Sequence, residues 1–136
     1  MPVDVALLEL AEQAGQNAYA PYSRLQVGAA VLTEAGGRYS GCNVENAAYP
    51  SGGCAEQHAI AAAVRAEGPG MRLAAVAISA RDGRGESIAI PPCGACRQRI
   101  AEFGEVVEIA FAGGDGDVVR SSIAVLLPQG FRLQAG

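Results

Sequence analysis

Three cysteines and one glutamate form the most chemically informative pattern in this sequence. Cys54 stands two residues before Glu56, and Cys93 and Cys96 follow later within the run PCGAC. Thiolates are strong ligands for zinc, and three of them leave one of its four tetrahedral positions open. A carboxylate beside that open position can move protons during a reaction. The spacing therefore predicts a zinc ion held by Cys54, Cys93 and Cys96, with Glu56 as an acid/base group.

A closed structural site is the alternative, because Cys42 or His58 could supply a fourth ligand. Structural zinc sites usually fill all four positions with side chains. The position of Glu56 favours an open site, since a structural zinc does not need a carboxylate in the same helical turn. Cys-x-Glu followed by Pro-Cys-x-x-Cys also matches the three-cysteine form of the zinc deaminase motif, in which the glutamate is not a ligand. A Cys-x-x-Cys pair alone would equally suit a thiol oxidoreductase.

The composition indicates one globular domain, residues 1–136. Half of the residues are hydrophobic, 18% are charged, and the net charge is −4. The cationic residues are all arginines and are scattered, so we expect no nucleic-acid partner, for which a basic stripe is typical. The N-terminus lacks the pattern of a secretion signal, and no apolar run approaches the ~20 residues of a membrane span. We therefore expect a cytoplasmic protein without a membrane partner, where cysteine pairs indicate metal or redox chemistry.

Two predicted helices begin at the cysteines. The first covers about residues 54–67, and its uniformly apolar stretch at 59–64 predicts burial on every side. The second covers about residues 93–103. The first turn of a helix offers free N–H groups and the positive end of the helix dipole, which stabilise thiolates. Both cysteine groups are therefore expected at positions that favour metal binding.

The remaining segments alternate between helices and strands. We predict a helix at 3–19, strands at 27–33, 38–44, 71–80, 106–112 and 117–120, a turn at 113–116, and a last helix from Ser121 or Ser122 to Leu127. The small run Gly28–Ala29–Ala30 indicates close packing by a neighbouring element. Strand–helix–strand units favour a partly parallel sheet covered by helices. The predicted fold class is α/β, a three-layer α/β/α sandwich with a mixed five-stranded sheet.

Beyond the metal motif, the chain resembles the small cytidine deaminases of pyrimidine salvage, which assemble as homotetramers. The matching stretches span nearly the whole chain: APYS at 20–23, VGAA at 27–30, GCNVENA at 41–47, YP at 49–50, CAE at 54–56, PCGACRQ at 92–98, and LLP at 126–128 with Phe131. The resemblance implies one Zn²⁺ per chain and hydrolytic deamination of cytidine and 2′-deoxycytidine to uridine and 2′-deoxyuridine, with release of ammonia. It also implies a homotetramer whose active sites are completed by neighbouring subunits.

The same resemblance implies roles for residues around the substrate. Asn43 and Glu45 would hold the ribose hydroxyls, and residues i and i+2 at a strand end do point the same way. An Asx-type turn leaving the strand is the alternative for this pair. Ala55 would offer backbone groups to the pyrimidine. Tyr49 and Phe131 would come from neighbouring subunits, although Phe131 could instead be a simple anchor for the tail.

Three residues depart from the pattern of these deaminases. Leu25 stands where an aromatic ring commonly packs on the base, so apolar contact is kept and stacking is lost. Gln57 stands where an arginine commonly bonds the zinc thiolates, so Arg97 and the helix dipoles would have to offset the net negative charge of Zn²⁺ with three thiolates. His58 lies one turn after Cys54 and could donate to a thiolate; the alternative that we favour is a histidine packed at a subunit contact.

In the implied mechanism, Glu56 takes a proton from the attacking water, protonates N3 of cytosine and delivers a second proton to the departing ammonia. Three rival functions stay open at this point. They are a related deaminase for another aminopyrimidine or a nucleoside antibiotic such as blasticidin S, a zinc-stabilised binding protein without activity, and a thiol oxidoreductase. Asn43 and Glu45 favour a free nucleoside as the substrate.

Overall fold

One mixed sheet organises the chain, which a computed structural model describes over residues 3–112 and 116–133. The described strands are β1 (Gln26–Thr33), β2 (Arg38–Cys42), β3 (Leu73–Arg81), β4 (Ser87–Ile88), β5 (Glu108–Ala112) and β6 (Val118–Ser122). The described α-helices are α1 (Val5–Gly15), α2 (Ala55–Glu67), α3 (Gly94–Glu102) and α4 (Ile123–Leu126). A short 3₁₀ turn, Tyr49–Ser51, precedes α2.

The strand order is β2-β1-β3-β5-β6, with β4 pairing to β3 beside this path. Strands β3 and β5 are parallel, and the other pairs are antiparallel. The nearly continuous apolar run of β3 places it between β1 and β5, as expected for a buried central strand. The mixed α/β sheet predicted from sequence is confirmed. Its predicted strand number is corrected from five to six, because β4 has only two residues and is too short to show an alternating pattern.

The two faces of the sheet carry separate hydrophobic clusters, which makes three layers. On one face, α1 contributes Leu7 and Ala11, which pack with strand residues such as Ala30 and Ala75. On the other face, the cluster combines residues of α2, α3 and α4 with the opposite sides of the strands, including Ile60, Ile100, Ile123, Val31, Val76 and Ile109. Alternation of side chains along β1 and β3 supplies both faces at once.

Two predicted features of the helices are wrong. Helix α1 ends at Gly15 rather than at residue 19, because Tyr19 already forms an isolated bridge with Val44. Helix α2 is not buried on every side within one chain, since Ala61, Arg65 and Ala66 are exposed on the face that points away from the sheet. A single sheet can cover only one side of the helix, and the small alanines of the outer face are left uncovered.

The other predicted boundaries lie close to the observed ones. Ser122 caps α4, with its hydroxyl accepting a hydrogen bond from the Val125 N–H. Most of the predicted turn at 113–116 lies outside the described residues. Within the described part of the chain, each helix is too short or too polar to cross a lipid bilayer.

Gly28 determines how closely α1 approaches the sheet. A Cβ atom at this position would lie 1.8 Å from the Ala11 carbonyl oxygen and 2.4 Å from the Gly15 nitrogen. Real Cβ atoms do not approach backbone atoms so closely, so only glycine fits without a shift of the helix. The close packing predicted from the small run in β1 is therefore confirmed.

We predict that Gly28→Ala destabilises the protein by about 3 kcal/mol or more, because α1 must move away from β1. Gly70→Ala is the matched control, since a Cβ at Gly70 would meet nothing within 4 Å, and it should change the free energy of unfolding by less than about 0.5 kcal/mol. Urea denaturation of both variants and the parent, at one protein and zinc concentration, measures the difference. Equal stability of the two variants would contradict this packing account.

Candidate metal centre and active site

The two cysteine groups lie at the first turns of α2 and α3. Cys54 is the residue immediately before α2, and Cys93 is the residue immediately before α3. The Cys96 N–H donates a hydrogen bond to Cys93 Sγ at 3.5 Å. The Sγ atoms of Cys54, Cys93 and Cys96 all lie within 4.8 Å of one another. The structure thus brings together three residues that are separated by up to 42 positions in sequence.

This cluster fits a tetrahedral zinc ion. Zinc–sulfur bonds of ~2.3 Å at tetrahedral angles would place the sulfur atoms ~3.8 Å apart, which small side-chain movements can reach. Neither Cys42 nor His58 belongs to the cluster. His58 Nδ1 instead donates to the Cys42 carbonyl oxygen at 2.7 Å, which ties α2 to the end of β2. The geometry therefore supports three protein ligands and an open fourth position, rather than a closed structural site.

Two of these thiols, Cys54 and Cys96, have raised pKa values in the metal-free protein. Desolvation by burial is the main cause for both residues, and the Glu56 carboxylate raises both pKa values further. A hydrogen bond with Cys96 acts in the opposite direction on Cys54, and a hydrogen bond from Arg99 does so on Cys96. Cys96 is fully buried. For Cys54 and Cys96, burial and repulsion among like charges therefore outweigh the contacts that favour the thiolate. A metal ion must displace protons from these thiols in order to bind.

Glu56 lies in the first turn of α2 and is one of the few buried polar residues, with 5% exposure. Burial raises the pKa of its carboxyl group, while its own backbone N–H, the Cys96 side chain and the Arg99 guanidinium act in the opposite direction. A buried carboxyl group with a raised pKa can both accept and return a proton near neutral pH. The structure thus places a buried titratable carboxyl group beside the thiols.

A cavity of about 590 Å³ opens next to Cys54, Cys93 and Glu56. This volume lies within the range of ligand pockets in proteins. The wall is mostly apolar, and among the residues predicted to bind a substrate it includes Leu25, Asn43, Glu45, Tyr49 and Ala55. Further lining residues are Tyr22, Ser23, Val27, Val44, Asn46, Gly52, Gly53, Ile90 and Pro91. The site thus combines an apolar wall, a few polar groups and the buried carboxyl group of Glu56.

Asn43 and Glu45 hold one wall of this cavity in place. The Asn43 amide donates to the Leu25 carbonyl oxygen and accepts from the Val27 N–H, both at 2.8 Å. It therefore reaches across to the neighbouring segment, and these bonds differ from those of the Asx-type turn considered above. Glu45 accepts hydrogen bonds from the Tyr22 and Ser23 N–H groups and from the Ser23 hydroxyl.

These hydrogen bonds, with the Ser23 hydroxyl first, lower the pKa of the Glu45 carboxyl. Glu45 therefore stays ionised at the cavity wall at neutral pH. Each carboxylate oxygen keeps lone pairs for further donors. Glu45 can thus bind a hydroxyl group of a ligand while it continues to hold the segment that contains Tyr22 and Ser23.

The two aromatic residues expected from neighbouring subunits lie at different places. Tyr49 stands at the cavity of its own chain, where its ring makes an edge contact with Tyr22 at 6.0 Å between centroids, yet it is 75% exposed. Phe131 does not line this cavity. The Gln98 side chain holds the Phe131 backbone through two hydrogen bonds, at 2.7 and 3.0 Å, while the ring is 67% exposed. The backbone of Phe131 is anchored, and its ring is free to contact another chain.

The residues predicted to offset the thiolate charge form other contacts. Gln57 Oε1 accepts from the Cys54 N–H at 3.4 Å. Arg97 donates to the carbonyl oxygens of Pro92 and Leu126. These bonds hold the segment before α3 and do not involve a sulfur atom. Arg99 was not predicted, and its Nη1 donates to Cys96 Sγ at 3.3 Å. The i, i+3 spacing of Cys96 and Arg99 on one helix was the available signal, since such residues share a helix face.

Comparisons with known proteins agree with this site. The model of the family described as the cytidine and deoxycytidylate deaminase zinc-binding region matches residues 1–112. Cytidine deaminase from Sporosarcina psychrophila is 40% identical over 126 residues, which is 92% of this chain and 88% of that protein. Cytidine deaminase from Halalkalibacterium halodurans is 40% identical over 127 residues, 92% of this chain and 91% of that protein. The crystal structure of cytidine deaminase from Burkholderia pseudomallei has a TM-score of 0.82 and 42% identity, covering 95% of this chain and 99% of that one.

We predict one zinc per chain in the parent protein, and loss of that zinc during dialysis against a chelator when Cys54, Cys93 or Cys96 is replaced by serine. Cys42→Ser is the matched control and should keep its zinc, because Cys42 lies outside the cluster. Elemental analysis after dialysis gives the count. Retention of zinc by all three ligand variants would contradict the assignment.

The same site fixes the sign of the pH dependence. Because the pKa values of Cys54 and Cys96 are raised, both thiols hold protons at neutral pH until the metal arrives. Zinc binding should therefore release protons, and zinc affinity should fall as the pH is lowered. Titration of the metal-free protein with zinc in a weakly buffered solution measures the release.

Proposed function

The chain belongs to the cytidine deaminase family, and on this premise we propose that it is a zinc-dependent hydrolase that converts cytidine and 2′-deoxycytidine to uridine and 2′-deoxyuridine with release of ammonia. One observation carries the proposal. The buried Glu56 carboxyl group stands beside three clustered thiols at the base of a cavity large enough for a nucleoside. This arrangement supplies a proton carrier and a metal site on the same side of a bound base.

Zinc, when bound by Cys54, Cys93 and Cys96, supplies a Lewis acid that makes water acidic enough to react at neutral pH. Glu56 takes the proton from the attacking water and passes it to N3 of the cytosine ring. The water oxygen adds at C4, and Glu56 then takes the remaining proton from that oxygen and carries it to the exocyclic amino group. The C4–N4 bond breaks, ammonia leaves, and the C4 carbonyl of the uracil product forms. The raised pKa of Glu56 suits this role, because the same group must both take up and release protons.

The cavity wall accounts for the choice of a free nucleoside. Glu45 presents an ionised carboxylate, and Asn43 presents an amide, so together they offer acceptors and a donor to the ribose hydroxyls. Leu25 provides an apolar surface for the base, and the Ala55 backbone lies at the start of α2 beside Glu56. Polar groups therefore bind the ribose hydroxyls, and Leu25 and Glu56 contact the base.

We also propose that residues 1–136 form one catalytic domain, and that four copies assemble with each active site completed by neighbours. The support is the uncovered face of α2 with Ala61 and Ala66, together with the exposed rings of Tyr49 and Phe131. Small residues allow helices to approach closely, and exposed aromatic rings are typical of protein interfaces. A nucleoside substrate further supports a role in pyrimidine salvage. Cysteines that form no disulfide bond support a location in the reducing cytoplasm.

We predict that Glu56→Ala and Glu56→Gln keep one zinc per chain and lower the turnover of cytidine by about 10²–10⁴-fold, the usual contribution of a general acid–base group. The fall in absorbance as cytidine becomes uridine, with ammonia measured in parallel, gives the rate. Glu9→Gln is the control, since Glu9 is exposed on α1 across the sheet, and it should keep the parent rate. A Glu56→Ala variant with near-parent turnover would exclude Glu56 as the proton carrier. Zinc-loaded parent protein without any activity on cytidine would refute the proposed function.

We predict a particle mass near four times the 13.8 kDa of one chain, measured by light scattering during gel filtration. Phe131→Ala should keep this mass and lower kcat/KM for cytidine by roughly tenfold, since burial of an aromatic ring contributes at least ~1.5 kcal/mol. Leu133→Ala is the control in the same tail, with a side chain that is also exposed, and it should have little effect.

Mixing the Phe131→Ala and Glu56→Ala variants tests whether the ring acts in a neighbouring active site. Some sites of a mixed assembly would combine Glu56 from one chain with Phe131 from another, so part of the activity should return. A monomeric parent protein, or mixed assemblies without recovery, would contradict the shared site.

A further inference from the structure

Arg99 brings a cation into direct contact with the thiol cluster. Its Nη1 donates to Cys96 Sγ at 3.3 Å from one turn further along α3. Cys96 is the fully buried member of the cluster, whereas Cys54 is half-buried and Cys93 is exposed. Water can therefore solvate the Cys93 sulfur but not the Cys96 sulfur. The guanidinium group of Arg99 takes the place of that missing solvation.

The charge of the site makes this contact important. The combined negative charge of three thiolates exceeds the positive charge of one Zn²⁺. The Glu56 carboxylate adds a further negative charge when it is ionised. Gln57 turns its oxygen toward the Cys54 N–H, and Arg97 donates to carbonyl oxygens. Neither side chain therefore offsets the charge on a sulfur in these contacts. Among the contacts of the described residues, Arg99 supplies the arginine that does so.

Arg99 lies on the far side of the cluster from the cavity. It lines a groove between α2 and α3 together with Gln57, Arg65 and Glu102, and it does not line the cavity that contains Glu56. Removal of Arg99 would therefore leave the substrate contacts in place. It would act on the Cys96 sulfur and, through the sulfur, on the metal, and it would also remove a positive charge that acts on the Glu56 carboxyl.

We propose that Arg99 is a positioning residue of the metal centre, which holds the Cys96 sulfur toward the metal and takes up part of its negative charge. A hydrogen bond from a cation withdraws electron density from a thiolate, so the sulfur donates less to the metal and the metal stays a stronger Lewis acid. The proposal rests on the proposed deaminase function for its effect on turnover, and on the cysteine cluster alone for its effect on the metal.

The test replaces Arg99 in the full chain and loads the protein with cobalt or zinc. In the cobalt-loaded Arg99→Gln variant, the sulfur-to-cobalt charge-transfer band should move to longer wavelength, because an unbonded thiolate is oxidised more easily. Zinc affinity, measured by competition with a chelator, should fall by about 10–100-fold, as is usual when a partner of a metal ligand is lost. In the zinc-loaded variant kcat for cytidine should fall while KM stays near the parent value.

Three further variants make the result decisive. Arg65→Gln removes an exposed arginine from the same groove and should leave the band, the zinc affinity and kcat unchanged. Arg99→Lys keeps the charge and should recover part of the zinc affinity. Arg99→Met has a similar length without a donor, and it provides the same readouts if Arg99→Gln does not fold.

An unchanged band and an unchanged zinc affinity in both Arg99→Gln and Arg99→Met would overturn the proposal. An Arg99→Lys variant that binds zinc as poorly as Arg99→Gln would also overturn it, since the charge would then have no effect. The band and the affinity do not depend on any substrate. A parent protein that shows the band but does not deaminate cytidine would refute the proposed function and leave this test intact.

Discussion

The whole site depends on two helix N-termini that meet at one edge of the sheet. Helix α2 leads into β3, and α3 leads into β5, and these two strands are parallel. A helix that packs on a sheet before such a strand begins near the strand's carboxyl end, so both helices begin at the same edge. The carboxyl edge of parallel strands is the usual position of active sites in α/β proteins. The parallel pairing of β3 with β5 therefore brings Cys54 to Cys93 and Cys96.

Burial at this edge disfavours the charged forms of the metal ligands in the metal-free protein. It favours the reaction once a metal is bound. It raises the pKa values of Cys54, Cys96 and Glu56 together, because each charged form loses solvation. In the metal-free protein the neutral form of each group is therefore more favoured than it would be in water. A divalent cation reverses this preference, since it compensates several negative charges in one place. The same low-dielectric surroundings then strengthen every contact to the metal and to a bound base.

Local patterns were predictable from the sequence, and contacts between elements were less so. The ligands and Glu56 follow from spacings of two and three residues at helix starts, which fix their geometry in any fold that keeps the helices. The central strand β3 follows from its apolar run. Strand β4 is too short for a periodic signal, and the exposed face of α2 reflects the number of layers that one chain can supply. Arg99 shares a face with Cys96 by spacing, but burial of that sulfur, which makes the contact matter, depends on the packing of α3 against the rest of the fold.

The distance along the chain between the ligands has a consequence for folding as well as for chemistry. A metal ion that joins Cys54 to Cys93 and Cys96 closes a loop that contains the whole of β3, the strand on which β1, β4 and β5 all pair. Closing a loop restricts the conformations of the chain. If the metal binds the folded state and not the unfolded state, its binding free energy adds to the stability of the fold. A bound metal would thus act as a cross-link around the centre of the sheet, and its binding free energy would stabilise the fold as well as supply the chemistry of the site.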